Sequence, residues 1–364
     1  MISIRFVVLS CVVVLGFFAC SDDSPNPGGT PDASMPDGSV PEMCTTEGTT
    51  QCGDTCVTTA TDPAHCGACN QACTTTEACE AGVCVAVCRI DGQQVEAGAL
   101  NAANACEQCR PELYATEWTP LVDGTACGTG QVCSTGACSS KCFIDGTLHD
   151  EGTPNPANAC EVCMPATSTT AWSPRESIPL LVGGTDIAAQ GWTTYSQAPN
   201  TLTYAEDYTR LATSTNSGAR TSGQLLLAKT NALDPTQPFK LRVTMQVESA
   251  SRHNQLDSGA AILGSLTGSA GTATDRAQMI YLDSAAIGWA DDTQSAAFAV
   301  TDGAYHIYEL AVSADKVATV SVDGVVKLTR NNFTANGTIA IGDQTNDPNV
   351  DGAMRIKSVE KLCQ

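Results

Sequence analysis

Six cysteines of this chain recur at one fixed step. Cys73, Cys79, Cys84, Cys88, Cys106 and Cys109 return 54 residues later as Cys127, Cys133, Cys138, Cys142, Cys160 and Cys163. Other residues keep the same step: Gly82 and Gly136, Ile90 and Ile144, Asn104 and Asn158, Pro111 and Pro165, Trp118 and Trp172. A fixed period without insertions means one small unit built twice, over residues 73–126 and 127–175. Units this short and this poor in large apolar residues cannot bury a sufficient core. They need covalent or metal staples.

The staples are unevenly spread, and this divides the chain. Of 20 cysteines, 17 crowd into residues 44–163, Cys11 and Cys20 precede them, and Cys363 stands next to the C-terminus. Residues 44–175 therefore read as a stapled arm. Residues 176–364 read as a conventional head, long enough to bury an apolar core. The net charge is −21, and no Lys or Arg cluster exists in the sequence. That argues against nucleic acid or anionic lipid as the main partner, since both bind through basic clusters. The acidity serves solubility.

Arg5 precedes a run of apolar and small residues from Phe6 to Ala19, which suits the hydrophobic region of a signal peptide over residues 1–19. It is too short to span a bilayer. Phe17-Phe18-Ala19-Cys20 resembles a bacterial lipoprotein signal, which implies lipidation of Cys20. Ordinary cleavage near Ala19 is the competing reading. Residues 20–43, with Pro25, Pro27, Pro31, Pro36 and Pro41 and almost nothing apolar, read as a disordered tether. The resemblance implies an exported protein of a Gram-negative bacterium, anchored in the outer membrane at the cell surface. Its only membrane contact would be the lipid.

Three CxxC pairs occur, Cys66/Cys69, Cys106/Cys109 and Cys160/Cys163. Zinc, a redox centre and structural disulfides all use this spacing. Behind an export signal the expected chemistry is disulfide formation. It takes in Cys44, Cys52, Cys56, Cys66, Cys69, Cys73, Cys79, Cys84, Cys88, Cys106, Cys109, Cys127, Cys133, Cys138, Cys142, Cys160, Cys163 and Cys363. The run Thr61-Asp62-Pro63-Ala64-His65-Cys66-Gly67-Ala68-Cys69 resembles the cysteine-rich repeats of the stigma-specific protein family. That resemblance implies a small disulfide module without a defined activity, with His65 in a turn. Trp118 and Trp172 are expected to supply the main apolar mass of their units.

Parity then singles out one bond. The arm holds an odd number of cysteines. Cys127 follows Trp118 by nine residues, but Leu181 stands nine residues after Trp172, so the second unit ends one cysteine short. Cys363 is the candidate to fill the gap, bonded to Cys160 or Cys142.

In the head, Phe239, Leu241, Val243, Met245 and Val247 alternate with polar residues, the period of a half-buried strand. Asp323-Gly324 between Ala318–Val322 and Val325–Leu328 is a hairpin signal. Further strands are expected over 223–229, 259–266, 278–283, 287–290, 296–301, 305–312, 338–341 and 354–362. No convincing amphipathic helix appears. The fold class is mainly β: disulfide-rich repeats followed by an antiparallel β-sandwich or jelly roll. The succession Tyr305 to Leu310, Val322 to Gly324, Ile341 to Asp343 and Ile356 to Val359 resembles the back half of concanavalin A-like lectin/glucanase and laminin G-like domains. That fold serves lectins, adhesion modules and polysaccharide-active enzymes alike.

Paired carboxylates for glycoside hydrolysis are not evident, because Glu176, Glu206, Glu248, Glu309 and Glu360 are isolated. Trp289, Asp291 and Asp292 place an indole beside polar groups, which suits sugar stacking; Trp289 also shares a strand face with Ile287 and equally suits the core. Asp343, Asn346, Asp347, Asn349 and Asp351 offer the oxygens calcium takes, or ordinary turns. No other cofactor is required. His253-Asn254-Gln255-Leu256-Asp257 is a polar loop whose spacing assigns it no role. The expected function is non-catalytic recognition or adhesion at the surface, through carbohydrate binding or a protein ligand. The alternatives are a polysaccharide-active lyase or hydrolase and a structural envelope spacer.

Overall fold

The computed structural model describes residues 44–213 and 223–364. The expected signal peptide, Cys20 and the tether lie outside the described residues. Contacts group the chain into two compact units, one ending at Val85 and one from Ala86 to Gln364. The composition border at 175/176 falls inside the second unit, so the second repeat and the head belong to one body.

Nine disulfides join the 18 cysteines from Cys44 to Cys363. The first unit holds Cys44–Cys56, Cys52–Cys69, Cys66–Cys79 and Cys73–Cys84. The second holds Cys88–Cys109, Cys106–Cys133, Cys127–Cys138, Cys142–Cys163 and Cys160–Cys363. From Cys66 onward the bonds are of two kinds, with two local rungs between successive forward bonds. Local rungs repeat at the period: Cys73–Cys84 returns as Cys127–Cys138, and Cys88–Cys109 as Cys142–Cys163. The other kind starts from the first cysteine of each CxxC pair and reaches forward, as Cys66–Cys79, Cys106–Cys133 and Cys160–Cys363. The position one period after Cys133 is Ile187, so the third forward bond must find its partner elsewhere, at the far end of the chain.

Each repeat has a miniature core built on its rung. Cys88, Ile90 and Cys109 are buried with Val95 and Trp118 packed on them. Cys142, Ile144 and Cys163 are buried against Trp172. The indoles thus cover sulfur, as expected for modules this small.

The head's strands are β1 (Ser177–Val182), β2 (Thr193–Gln197), β3 (Asn200–Tyr204), β4 (Thr209–Thr213), β5 (Gln224–Lys229), β6 (Phe239–Ala250), β7 (Ala261–Leu263), β8 (Ile280–Leu282), β9 (Ala286–Trp289), β10 (Ser295–Ala297), β11 (His306–Val312), β12 (Ala318–Val322), β13 (Val325–Arg330), β14 (Ile339–Asp343) and β15 (Gly352–Leu362). They form two antiparallel sheets. One runs β3-β4-β15-β6-β11-β12-β13, with β1 also paired to β15; the other runs β2-β5-β14-β7-β8-β9-β10. The β6 residues Phe239, Leu241, Val243, Met245 and Val247 are all buried. They meet Leu225, Ile262, Ile280 and Ile341 of the other sheet in one core between the layers. At the β12–β13 turn, Asp323 and Gly324 have φ of 48° and 79°. That left-handed pair matches strand twist in a tight hairpin.

The head begins and ends at one place. Ser177 of β1 is opposite Leu362 of β15. The Cys363 amide donates to the Glu176 carbonyl at 2.8 Å, and the Arg175 amide donates to the Cys160 carbonyl at 3.0 Å. The Cys160–Cys363 bond closes that junction. We expect Cys363→Ser to lower stability by about 2–4 kcal/mol, because a cross-link of such long span restricts the unfolded chain. Urea unfolding under non-reducing conditions reads this, and peptide mapping that finds a free thiol at Cys363 in the parent would remove the basis for it.

Candidate functional site

The outer face of the seven-stranded sheet is itself covered. Leu226 and Ala228 of β5, Ala261 and Leu263 of β7, Met279, Tyr281 and Ala340 form a second buried cluster, with Leu256 and Leu266 in or against it. The covering segments are the polar loop before β7 and the stretch between β7 and β8. The latter contains a single turn of helix, α1 (Ala273–Ala277), closed by a capping box between Thr272 and Asp275. Asp275 is buried and accepts from the Ser265 hydroxyl (2.7 Å) and the Thr267 and Thr272 amides (3.0 and 2.9 Å). These charge-assisted bonds tie the covering stretch to itself.

Where the cover ends, a polar groove of about 330 Å³ opens, lined by Gln224, Asp257, Ala270, Arg276, Gln344, Thr345 and Asn346. Gln224 alternates with the core residue Leu225 and so faces outward at the start of β5. Its side-chain amide donates to the Gln344 carbonyl at 2.8 Å. The Gln344 amide donates to the Leu256 carbonyl (3.0 Å) and the Asp257 carboxylate (3.2 Å). Arg276 of α1 pairs with Asp257 and donates to the Leu256 carbonyl at 3.2 Å. Asn346 donates to Gln197 of β2 at 3.0 Å. The lining is therefore a set of donors and acceptors held in place by one another. Among its described residues the only carboxylate is Asp257.

Beneath the groove the two sheets are joined by a buried acid. Asp343 ends β14 with its side chain between the layers, 1% exposed. The Thr213 hydroxyl at the end of β4 donates to it, and the Thr345 amide donates at 3.1 Å. Burial pushes the Asp343 carboxyl up to about 7, against the pull of those two hydrogen bonds.

The residues singled out in the sequence are dispersed. Trp289 is fully buried in the inter-sheet core. Its indole N–H donates to the Thr329 carbonyl at 3.3 Å, and the Arg330 guanidinium lies 4.8 Å above its ring centre. It offers no face to a sugar, because the alternation that turns Ile287 inward turns Trp289 inward too. Asp291 is held by Arg330 at 2.5 Å. Asp292 instead joins a cluster on the outer face. His253 lies between Asp292 (2.7 Å) and Asp283 (3.3 Å) and stacks on Tyr281 with ring centres 3.6 Å apart. Room for the Tyr281 ring requires Gly288, where a Cβ would come within 2.5 Å of it.

The set named for calcium is also divided. Asp343 points inward. Asp347 accepts from Asn254 (2.7 Å) and from the Asn349 amide (2.9 Å), a turn bond. Asp351 accepts from Ser251 at 3.2 Å. Among the described residues, the triads of His, Cys, Asp or Glu with ligand atoms close enough to share an ion are Cys66, Cys73, Cys84 and Cys106, Cys127, Cys138. Each contains a disulfide pair. The groove residues Gln224, Asp257, Arg276 and Gln344 carry no motif. They come from four distant stretches that only strand pairing brings together.

The family model of the stigma-specific STIG1-like protein family matches residues 36–87. This is the region of the first disulfide unit. No curated protein matches the chain. Among solved structures, a carbohydrate esterase from a Shiga toxin-encoding bacteriophage is similar at 14% identity, covering 52% of this chain and 99% of that one, with a TM-score of 0.37. The carbohydrate recognition domain of Emp47p is similar at 13% identity over 51% of this chain and 94% of that one, TM-score 0.33. The exoplasmic/lumenal domain of VIP36 in its Ca2+/Man-bound form is similar at 12% identity over 47% and 82%, TM-score 0.33.

Proposed function

We propose that the head is a non-catalytic glycan-recognition module, carried on the disulfide arm and tethered at a bacterial surface through lipidated Cys20. The groove beside α1 carries this reading. Its amides, one guanidinium and one carboxylate are fixed by mutual hydrogen bonds, and sugar hydroxyls both donate to and accept from such groups. Little ordering cost remains to be met on binding. Hydrolysis by paired carboxylates needs a second acid across the groove, and the described lining supplies Asp257 alone. Nine disulfides fit an oxidising compartment, which agrees with export by the leader.

A glycan array probed with the purified protein tests the reading. Retention of one glycan class is expected, with Gln344→Ala and Arg276→Ala each weakening it at least about tenfold, as loss of one anchoring hydrogen-bond group commonly does. An array without retained glycans, or variants that bind like the parent, would reject the groove as the site.

A further inference from the structure

The outer face of the eight-stranded sheet gathers cations that the sequence scatters. Arg210 on β4, Lys240 and Arg242 on β6, and Arg355 and Lys357 on β15 all occupy outward positions, opposite in phase to the core residues of the same strands. Two carboxylates are each shared by a pair of these cations, Lys357 pairs with Asp207 (2.8 Å), and Glu360 of β15 stands opposite Arg242. Glu248 binds Arg210 (2.7 Å) and Arg355 (2.5 Å), and Glu309 binds Lys240 (2.8 Å) and Arg242 (3.0 Å). The carboxylates are the buried partners: Glu248 and Glu309 are 19% and 12% exposed, against 31–37% for the three arginines. In these two nests water therefore meets the cations more than the carboxylates they share, whereas at Lys357 the partner Asp207 is the more exposed group.

The arginines are also half used. Arg210, Arg242 and Arg355 each reach their glutamate through Nε. Their terminal Nη groups have no partner among the described residues. Aromatic rings support the cations from beneath: Arg355 sits 4.9 Å above the Tyr208 ring, and Lys357 4.4 Å above the Tyr305 ring. Such stacking limits the freedom of a long side chain and leaves its hydrogen-bonding edge free. The two nests are separated along β6 by the stretch from Arg242 to Glu248, about 20 Å of extended strand, with Lys357 on β15 between them.

From this we infer that the face is a second binding site, which takes an acidic polysaccharide with one carboxylate per sugar along the line from Arg355 to Arg242. Guanidinium edges suit carboxylates, and spaced nests suit a polymer better than a single small anion. A densely charged polyanion such as duplex DNA is disfavoured, because a chain of net charge −21 repels it. This site lies on the sheet opposite the groove and does not depend on it.

The test is titration of the purified protein with polygalacturonate, with neutral dextran and with duplex DNA, at low and high ionic strength. Polygalacturonate is expected to bind at low salt and to weaken at least about tenfold at high salt, since exposed charge pairs are screened. Dextran and DNA are expected to bind far less. Arg210→Gln with Arg355→Gln should reduce polygalacturonate binding at least about tenfold. Lys357→Gln, which gives up the exposed Asp207 and the stacking on Tyr305, should reduce it several-fold with the thermal midpoint little changed. Gln344→Ala in the groove should leave it unaffected. Absence of polygalacturonate binding, equal binding of dextran or DNA, or full binding by Lys357→Gln would each overturn the inference.

Discussion

Trp289→Ala should cost about 3–5 kcal/mol of stability, the range for removing a large aromatic from a packed interior. Trp289 is fully buried, its ring is tilted against Phe333 with centres 6.2 Å apart, and its N–H serves the Thr329 carbonyl. The substitution opens a cavity, removes the indole donor from that carbonyl and takes the ring from beneath the Arg330 guanidinium, which keeps its bonds to Asp291 and the Ala277 carbonyl. Urea unfolding of parent and variant measures the loss. The binding experiment then becomes informative, because a surface platform behaves in the opposite way. If Trp289→Ala kept its full unfolding midpoint while losing glycan binding, the indole would face the ligand and the placement of β9 would be wrong.

The second large effect depends on pH. The folded chain keeps the Asp343 proton up to about pH 7, whereas an exposed carboxyl releases it near 3.8. Between those values the native state binds more protons than the unfolded one, so stability falls as pH rises. The contribution is fully present below about pH 4 and lost by the time pH passes about 7. The difference amounts to about 4 kcal/mol at roughly 1.4 kcal/mol per pH unit. Asp343→Asn keeps one oxygen to accept from the Thr345 amide and turns its NH2 to the Thr213 hydroxyl, which can accept while donating to the Gly352 carbonyl, but it cannot ionise. Its unfolding free energy should lack this slope, and above pH 7 it should be the more stable protein. Parallel slopes for parent and variant across this window would show that Asp343 is not a neutral buried acid.

Strands with an apolar period could be read from the sequence, and those without one could not. β6 is legible because each inward side chain is apolar, and the β12–β13 hairpin because Asp323-Gly324 supplies the turn chemistry. β1 to β4 went unmarked. β2 and β3 are peripheral strands with mostly exposed or half-exposed residues. β4 buries Thr209, Leu211 and Thr213, so two of its three inward side chains are threonines and the alternation is weak. β1 carries Pro179, which demotes a strand reading. The short α1 is fixed by Thr272 and Asp275 rather than by an apolar stripe.

The site was less legible than the fold for a different reason. A groove residue such as Gln224 or Gln344 has no local signature, since its role follows from which strands are neighbours. Trp289 shows the reverse problem. Its polar neighbours suggest a binding site, while the shared phase with Ile287 decides where the ring points. The cysteines were the most readable part, because parity is a constraint on the whole chain. It left Cys160 and Cys142 open as partners for Cys363, and the structure joins Cys160.

That closure bears on what happens when the molecule is pulled. Traction arriving through the second repeat reaches the head at Glu176 and, through Cys160–Cys363, at the end of β15 in the same instant. β1 and β15 are thus tugged side by side, so the load cannot peel one from the other like a zipper. It must instead slide β15 lengthwise between β4 and β6, against the full row of bonds on both flanks. A single covalent link at the doorway turns the weakest direction of a sheet into its strongest.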